Sequence, residues 1–247
     1  HFLISNLLHF PTSKAPSALY GSAIHAALQR AHTHFAATGK RKPVEDVLQD
    51  FEKSLVSYNM PSDDLGAYLQ RGAASLSSFL SAHYDDFSAR QKVEVAFGGQ
   101  QSMVGQATLT GALDLVDIDP ETHEMTVTDY KTGSPSDKWT GKTDGEKLKL
   151  HKYRQQLLFY KLLVEHSRDF SNYTVAKGVL QFVEPTPGGR IVNLDLSFST
   201  DELAEFARLV ERVYDLIISL NLPDTSGYPA TYAGVKAFEA DILSGEY

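Results

Sequence analysis

QATLTGALDLVDIDPETHEMTVTDYKTG, residues 106–133, decides how the chain folds. It holds two β-branched, alternating runs, 106–119 and 124–130, joined by a hairpin-like turn, PETH, at 120–123. Side chains alternate along a strand, so Met125, Val127, Asp129 and Lys131 share one face of the second run. An apolar face that ends in an acid and a base means one of two things. Either the strand has run out into solvent and the pair closes a turn at Thr132-Gly133, or the pair holds something. The first run adds another acid, Asp114, on the face of Ala112, Val116 and Ile118. A carboxylate among apolar neighbours is costly unless it is paired, protonated or bound to metal. Two such acids on adjacent antiparallel strands can meet, and they repel unless a cation sits between them. Hard oxygen donors with incomplete protein coordination suit magnesium or manganese. A divalent ion beside a lysine suits hydrolytic nuclease chemistry: the ion activates water and the ammonium stabilises charge on a phosphodiester. An acid-x-Lys triplet alone is weak, although Asp129-Tyr130-Lys131 is the only one in the chain.

Upstream of this hairpin the pattern is helical. Residues 18–35 are rich in Ala and Leu and stop near Gly39. Lys42-Pro43 opens a second helix with Val44, Val47, Leu48, Phe51 and Leu55 at helical spacing. PSDD at 61–64 predicts a third, capped by Ser62. KVEVAF at 92–97 is a further strand. Downstream, a Gly/Ser/Lys/Thr loop (133–146) leads to a helix over about 147–168, with Leu150, Tyr153, Leu157 and Val164 as its apolar stripe. Residues 173–185 and 190–198 read as paired strands around PTPGG. The run from Ser199 reads as a helix capped by Thr200, with Leu203, Phe206, Val210 and Val213 on one side. From Pro223 onward the tail reads as turns. Helices around a β-meander that is itself crossed by a helix make the class α/β.

The 247 residues are expected to form a single domain, 1–247, with ample core. There is no cysteine, which excludes disulfides, thiolate metal sites, cysteine nucleophiles and a cysteine-ligated iron–sulfur cluster. No apolar run nears the roughly 20 residues a membrane span needs, so a cytoplasmic protein is expected. The chain opens on HFLISNLLHFP, which resembles the middle of an element and suggests a piece of a longer protein. A net charge of -8 argues against non-specific coating of nucleic acid. Between Lys131 and Lys161, however, eight basic residues face only three acids. Lys138, Lys142, Lys149 and Lys152 in that stretch are candidate DNA contacts, with Trp139 a candidate stacking platform.

Taken together, YGSAIHAALQ (20–29), GALDLVD (111–117), VTDYKTG (127–133) and QLLFY (156–160) resemble the blocks of the PD-(D/E)xK nuclease superfamily, in order. The closer resemblance is to RecB-type nuclease domains found at the C-terminus of UvrD-like helicases and in AddAB and RecBCD enzymes. The blocks span residues 20 to 160, more than half the chain. The resemblance implies a restriction-endonuclease-like core, a central mixed β-sheet flanked by helices. It implies that His25, Asp114 and Asp129 ligate Mg²⁺ or Mn²⁺ with the backbone carbonyl of Tyr130, and that Lys131 is the catalytic lysine. Gln156 and Tyr160, four apart and so on one helix face, would lie beside the active site. It further implies DNA as substrate, and helicase motor domains in the same polypeptide or complex. Two departures stand out. Leu115 replaces a basic residue common after the first Asp, and the iron–sulfur cluster of AddB-like members cannot exist without cysteine.

Each assignment has a plainer counterpart. His32, seven residues after His25, is a rival for the metal, and Asp117 is the less favoured acid of its strand. Glu94 reads as an exposed strand residue before it reads as a third acid. GKT at 141–143 imitates a phosphate loop, but Ser136 stands where that loop needs glycine. Three functions follow: the exonuclease module of a helicase–nuclease in DNA repair or recombination, a stand-alone single-strand exonuclease, and an inactive nuclease fold for DNA binding or protein docking.

Overall fold

The computed structural model describes residues 15–246. The opening HFLISNLLHFP therefore lies outside the described residues. Two compact units make up the rest: one runs to Phe87 and adds Val183–Ile191, the other takes Ser88–Phe182 and Val192 onward.

The first unit is helical, with α1 (Pro16–Thr38), α2 (Val44–Ser57) and α3 (Ser62–His83). Pro16 suits the first turn of α1, where its missing N–H costs nothing, and Gly39 closes the helix in the left-handed region at φ 67°. Tyr20, Ala23, Ile24, Ala27, Leu28 and Ala31 make the buried face of α1, and the alanines let neighbours approach closely. Val47, Phe51 and Leu55 of α2 and Leu76, Phe79 and Leu80 of α3 fill the same core. Gly72 is required there: a Cβ on it would lie 2.0 Å from the Phe51 ring. The expected cap of α3 moves by one residue. Ser62 is already helical, and Pro61 occupies the cap position. Arg71 of α3 makes a bidentate ion pair with Glu184, at 2.7–3.0 Å, tying the 183–191 segment to this unit.

The second unit is built on a mixed sheet in the order β1 (Gln91–Val104), β2 (Ala107–Asp119), β3 (Glu124–Lys131), β4 (Thr174–Phe182), β5 (Asn193–Ser197). Only β3 and β4 run parallel. A parallel step needs a crossover, and α4 (Asp144–Glu165) supplies it. Helix α4 lies close on the sheet because Gly178 has no side chain; a Cβ there would meet Leu157 at 3.1 Å. Helices α5 (Thr200–Ser219) and α6 (Tyr232–Ser244) complete the unit, which is mixed α/β with helices beside the sheet, as a restriction-endonuclease-like fold requires.

Four details correct the sequence reading. Strand β1 extends past residue 97. Gly98-Gly99 interrupts the alternation, but the ladder resumes at Ser102, whose hydroxyl donates to Leu163 O at 3.0 Å. Helix α4 begins earlier than 147, at a capping box in which Thr143 and Glu146 satisfy each other's backbone N–H groups. In α5 the cap position is Ser199, not Thr200, and Tyr214 rather than Val213 continues the core side. The tail is not all turns: α6 starts at a Thr231 cap and buries Ile242. Its N-terminal Tyr232 N–H donates to Asp144, and Glu239 pairs with His151 at 2.7 Å. Among the described residues no helix is long and apolar enough to cross a membrane.

Candidate active site

Strand β3 ends against α4, and the site forms where they meet. Asp129 is only 3 % exposed. Its Oδ1 accepts hydrogen bonds from Gln156 Nε2 at 2.7 Å and from the Tyr160 hydroxyl at 2.8 Å. The second hydrogen of the Gln156 amide goes to the Tyr160 oxygen at 2.7 Å, so one helix turn of α4 locks one carboxylate oxygen. The Lys131 ammonium donates to Gln156 Oε1 at 2.6 Å and stands 2.7 Å from Asp129 Oδ2. That second contact, an ion pair at hydrogen-bond distance, is the one given to Oδ2; no other donor among the described residues reaches this buried oxygen. Asp129 and Lys131 do share a face, and that face meets Gln156 and Tyr160 of α4 rather than open solvent.

Asp114 completes the group from β2. The β2–β3 ladder ends at Leu115 opposite Thr128, and one further step of that register sets Asp114 opposite Asp129. There the side chain replaces the ladder: Asp114 Oδ2 accepts the Tyr130 N–H at 2.9 Å. Asp117, the less favoured candidate of the strand, pairs with Arg90 at 3.6 Å.

Burial pushes the Asp129 carboxyl above the usual carboxylate range. The Lys131 charge opposes that shift and the Asp114 charge adds to it. Burial, with the nearby Asp129 charge, also raises Tyr160 and Tyr153, so both stay neutral phenols. A carboxylate that is desolvated, faces a second carboxylate and keeps one oxygen clear of every donor but the Lys131 ammonium is set up for a cation. Asp114 and Asp129 offer hard oxygen donors of the kind magnesium takes when it keeps waters and substrate oxygens as its other ligands. The residues fit such an ion. Among the described residues no group of three or more His, Asp or Glu side chains gathers where it could hold a metal.

The remaining candidates lie as follows. His25 is half-buried on α1, in the first unit. His32 is 5 % exposed and stacks on Phe87, with ring centroids 3.6 Å apart. Burial lowers its pKa to about 4, the behaviour of a neutral core histidine. Lys138, Lys142 and Lys152 are exposed, whereas Lys149 is half-buried and donates to Ser134 O at 3.2 Å. Trp139 is no free platform: its indole N–H donates to Asp195 O at 2.6 Å and its ring packs on the core. Glu94 is exposed on β1 with φ 50°. Thr143 of GKT caps α4. One neighbour was missed from sequence: Tyr153, whose ring lies 4.6 Å from the Lys131 ammonium. Its position, three residues before Gln156 and so on the same helix face, was the available signal.

A model of the PD-(D/E)XK nuclease superfamily matches residues 1–231. No curated protein matches the chain significantly. Among solved structures, one described as "Crystal structure of SSO0001" is 21% identical with a TM-score of 0.34, over 87% of this chain and 82% of that one, a likeness too slight to argue from.

Proposed function

Because the chain belongs to the PD-(D/E)XK nuclease superfamily, whose members are metal-dependent nucleases, we propose that it hydrolyses DNA phosphodiester bonds as an exonuclease. In this reading it is the RecB-type module of a helicase–nuclease in repair or recombination. The observation that carries the hydrolytic part is the Asp129 carboxylate, buried opposite Asp114, with no donor but the Lys131 ammonium reaching Oδ2. The order of the GSAIH, GALD, DYK and QLLFY blocks supports the RecB-type part.

Asp114, Asp129 and the Tyr130 carbonyl would hold Mg²⁺ or Mn²⁺, and the resemblance adds His25. When bound, such an ion lowers the pKa of a water and offsets charge on the phosphate. The chain's own groups do the rest. Lys131 carries a positive charge at the mouth of the carboxylate pair, where it orients the attacking water and stabilises charge developing on the phosphate. Gln156 fixes that ammonium through Oε1 and the Asp129 carboxylate through Nε2, so a single amide sets their spacing. Tyr160, held neutral, keeps Asp129 Oδ1 in place. Lys138, Lys142 and Lys152 would meet the DNA backbone.

The test is cleavage of end-labelled single- and double-stranded DNA with Mg²⁺, Mn²⁺ or EDTA. Metal-dependent cutting is expected, with Lys131→Ala slower by about 10²-fold or more, the usual cost of losing a charge stabiliser. The product ladder reports polarity and exo or endo action. A wild type that binds Mn²⁺ and DNA but never cuts, with or without a helicase motor, would leave the docking module as the better reading.

A further inference from the structure

Lys131 is held on three sides, and only two of them are polar. Gln156 Oε1 takes one N–H at 2.6 Å, and Asp129 Oδ2 stands 2.7 Å away. The third side is the Tyr153 ring, with its centroid 4.6 Å from Nζ. The ring is itself fixed: it packs against Phe182 at 6.4 Å between centroids, and Phe182 is the residue paired with Lys131 across β3 and β4. Phe182 thus backs the Tyr153 ring at a tilt of 58°, and the ring in turn faces the Lys131 ammonium. Burial raises the phenol pKa, so the ring stays neutral and can face a cation.

We propose that Tyr153 is a positioning residue for Lys131: its ring face sets where the ammonium sits while leaving an N–H of Lys131 for the reacting phosphate. The physical reason is donor economy. An ammonium has three N–H groups, and a carboxylate or amide on the third side would occupy the last one. An aromatic face attracts the charge through its quadrupole and takes no directed hydrogen bond. The hydroxyl is not required for this; the ring is. The inference rests on the catalytic role given to Lys131, but the placement of the ammonium can be read without any turnover.

The experiment compares wild type, Tyr153→Phe and Tyr153→Leu in the full chain. The first readout is the proton shift of the Lys131 ε-methylene in protein with ¹³C-labelled lysine, assigned by its loss in Lys131→Arg. The ring should shift that resonance upfield in wild type and Tyr153→Phe, and Tyr153→Leu should return it to the range of the other lysines. The second readout is cleavage. Tyr153→Leu should lower kcat about tenfold with KM changed by less than about threefold, and Tyr153→Phe should restore it, consistent with the size of a partly desolvated cation–π contact. A Leu variant with an unmoved Lys131 resonance overturns the proposal, as does a Phe variant as impaired as Leu. If wild type does not cut, the nuclease reading fails and the resonance alone decides the position of Lys131. If Tyr153→Leu does not fold, the Phe variant and Tyr153→Trp carry both readouts, and the proposal falls if neither keeps the upfield shift.

Discussion

Asp129 concentrates the electrostatic problem of the molecule in one side chain. It is charged chemistry placed where water is nearly absent, with a second carboxylate across the strand pair. Lys131 relieves part of that repulsion, and a divalent ion would relieve more. Metal should therefore stabilise the fold as well as serve the reaction. At about 100 times the dissociation constant, a ligand that binds only the native state adds about 2.7 kcal/mol. Thermal melts with and without Mg²⁺ or Mn²⁺ should show a rise in Tm for wild type and none for Asp129→Asn or Asp114→Asn. Equal rises in all three would remove these carboxylates from the metal site. Asp114, Asp129 and Lys131 were legible in the sequence because strand alternation assigns a face to each residue, and the face of Asp129 was apolar until it reached the pair. Tyr153 was read only as part of the apolar stripe. Periodicity says that a ring faces inward, but not that a cation from another strand ends beneath it.

Among the elements, those with strong apolar periodicity were readable and those marked mainly by their ends were not. Helix α6 was missed because its short run, Val235, Phe238 and Ile242, follows a Pro- and Gly-containing segment that reads as turns. The caps of α3 and α5 moved by one residue because a hydroxyl just inside a helix looks like one just outside it. The helical first unit also settles what composition left open about His32, since α1 presents it to Phe87 and not to solvent. A histidine whose pKa falls from 6.5 to about 4 on folding must stay neutral to keep the fold. The unfolded chain binds the proton more tightly, so the stability this side chain contributes is present above about pH 6.5 and is lost as pH falls towards 4. The loss amounts to about 3 kcal/mol across that window. Urea denaturation from pH 7.5 to 4 should show it as a steeper decline in wild type than in His32→Leu, an apolar replacement of similar size. Parallel curves would mean that His32 is solvated in the native state.

At the scale of the whole molecule, the charge balance sets how DNA can be held. The chain is acidic overall, at -8, yet its basic residues crowd into the loop and helix that follow β3. An acidic body discourages diffuse attachment, so productive binding should pass through a few discrete phosphate contacts. Lys138, Lys142 and Lys152 are the exposed members of that stretch among the candidates, whereas Lys149 is partly committed to the Ser134 carbonyl. Each phosphate neutralised on a duplex contributes about 0.9 to the slope of log affinity against log salt, and about 0.7 on a single strand. Changing Lys138, Lys142 and Lys152 together to Gln should therefore flatten that slope by about 2 to 3 and weaken binding to all sequences alike. Lys131→Ala protein provides an uncut substrate for the measurement, by fluorescence anisotropy over a salt series. Changing Lys149 alone should alter the slope by less than changing any one of the other three. If the triple variant keeps the full slope, the strand enters by another face, and the lysines after β3 serve only to keep their loop and helix solvated.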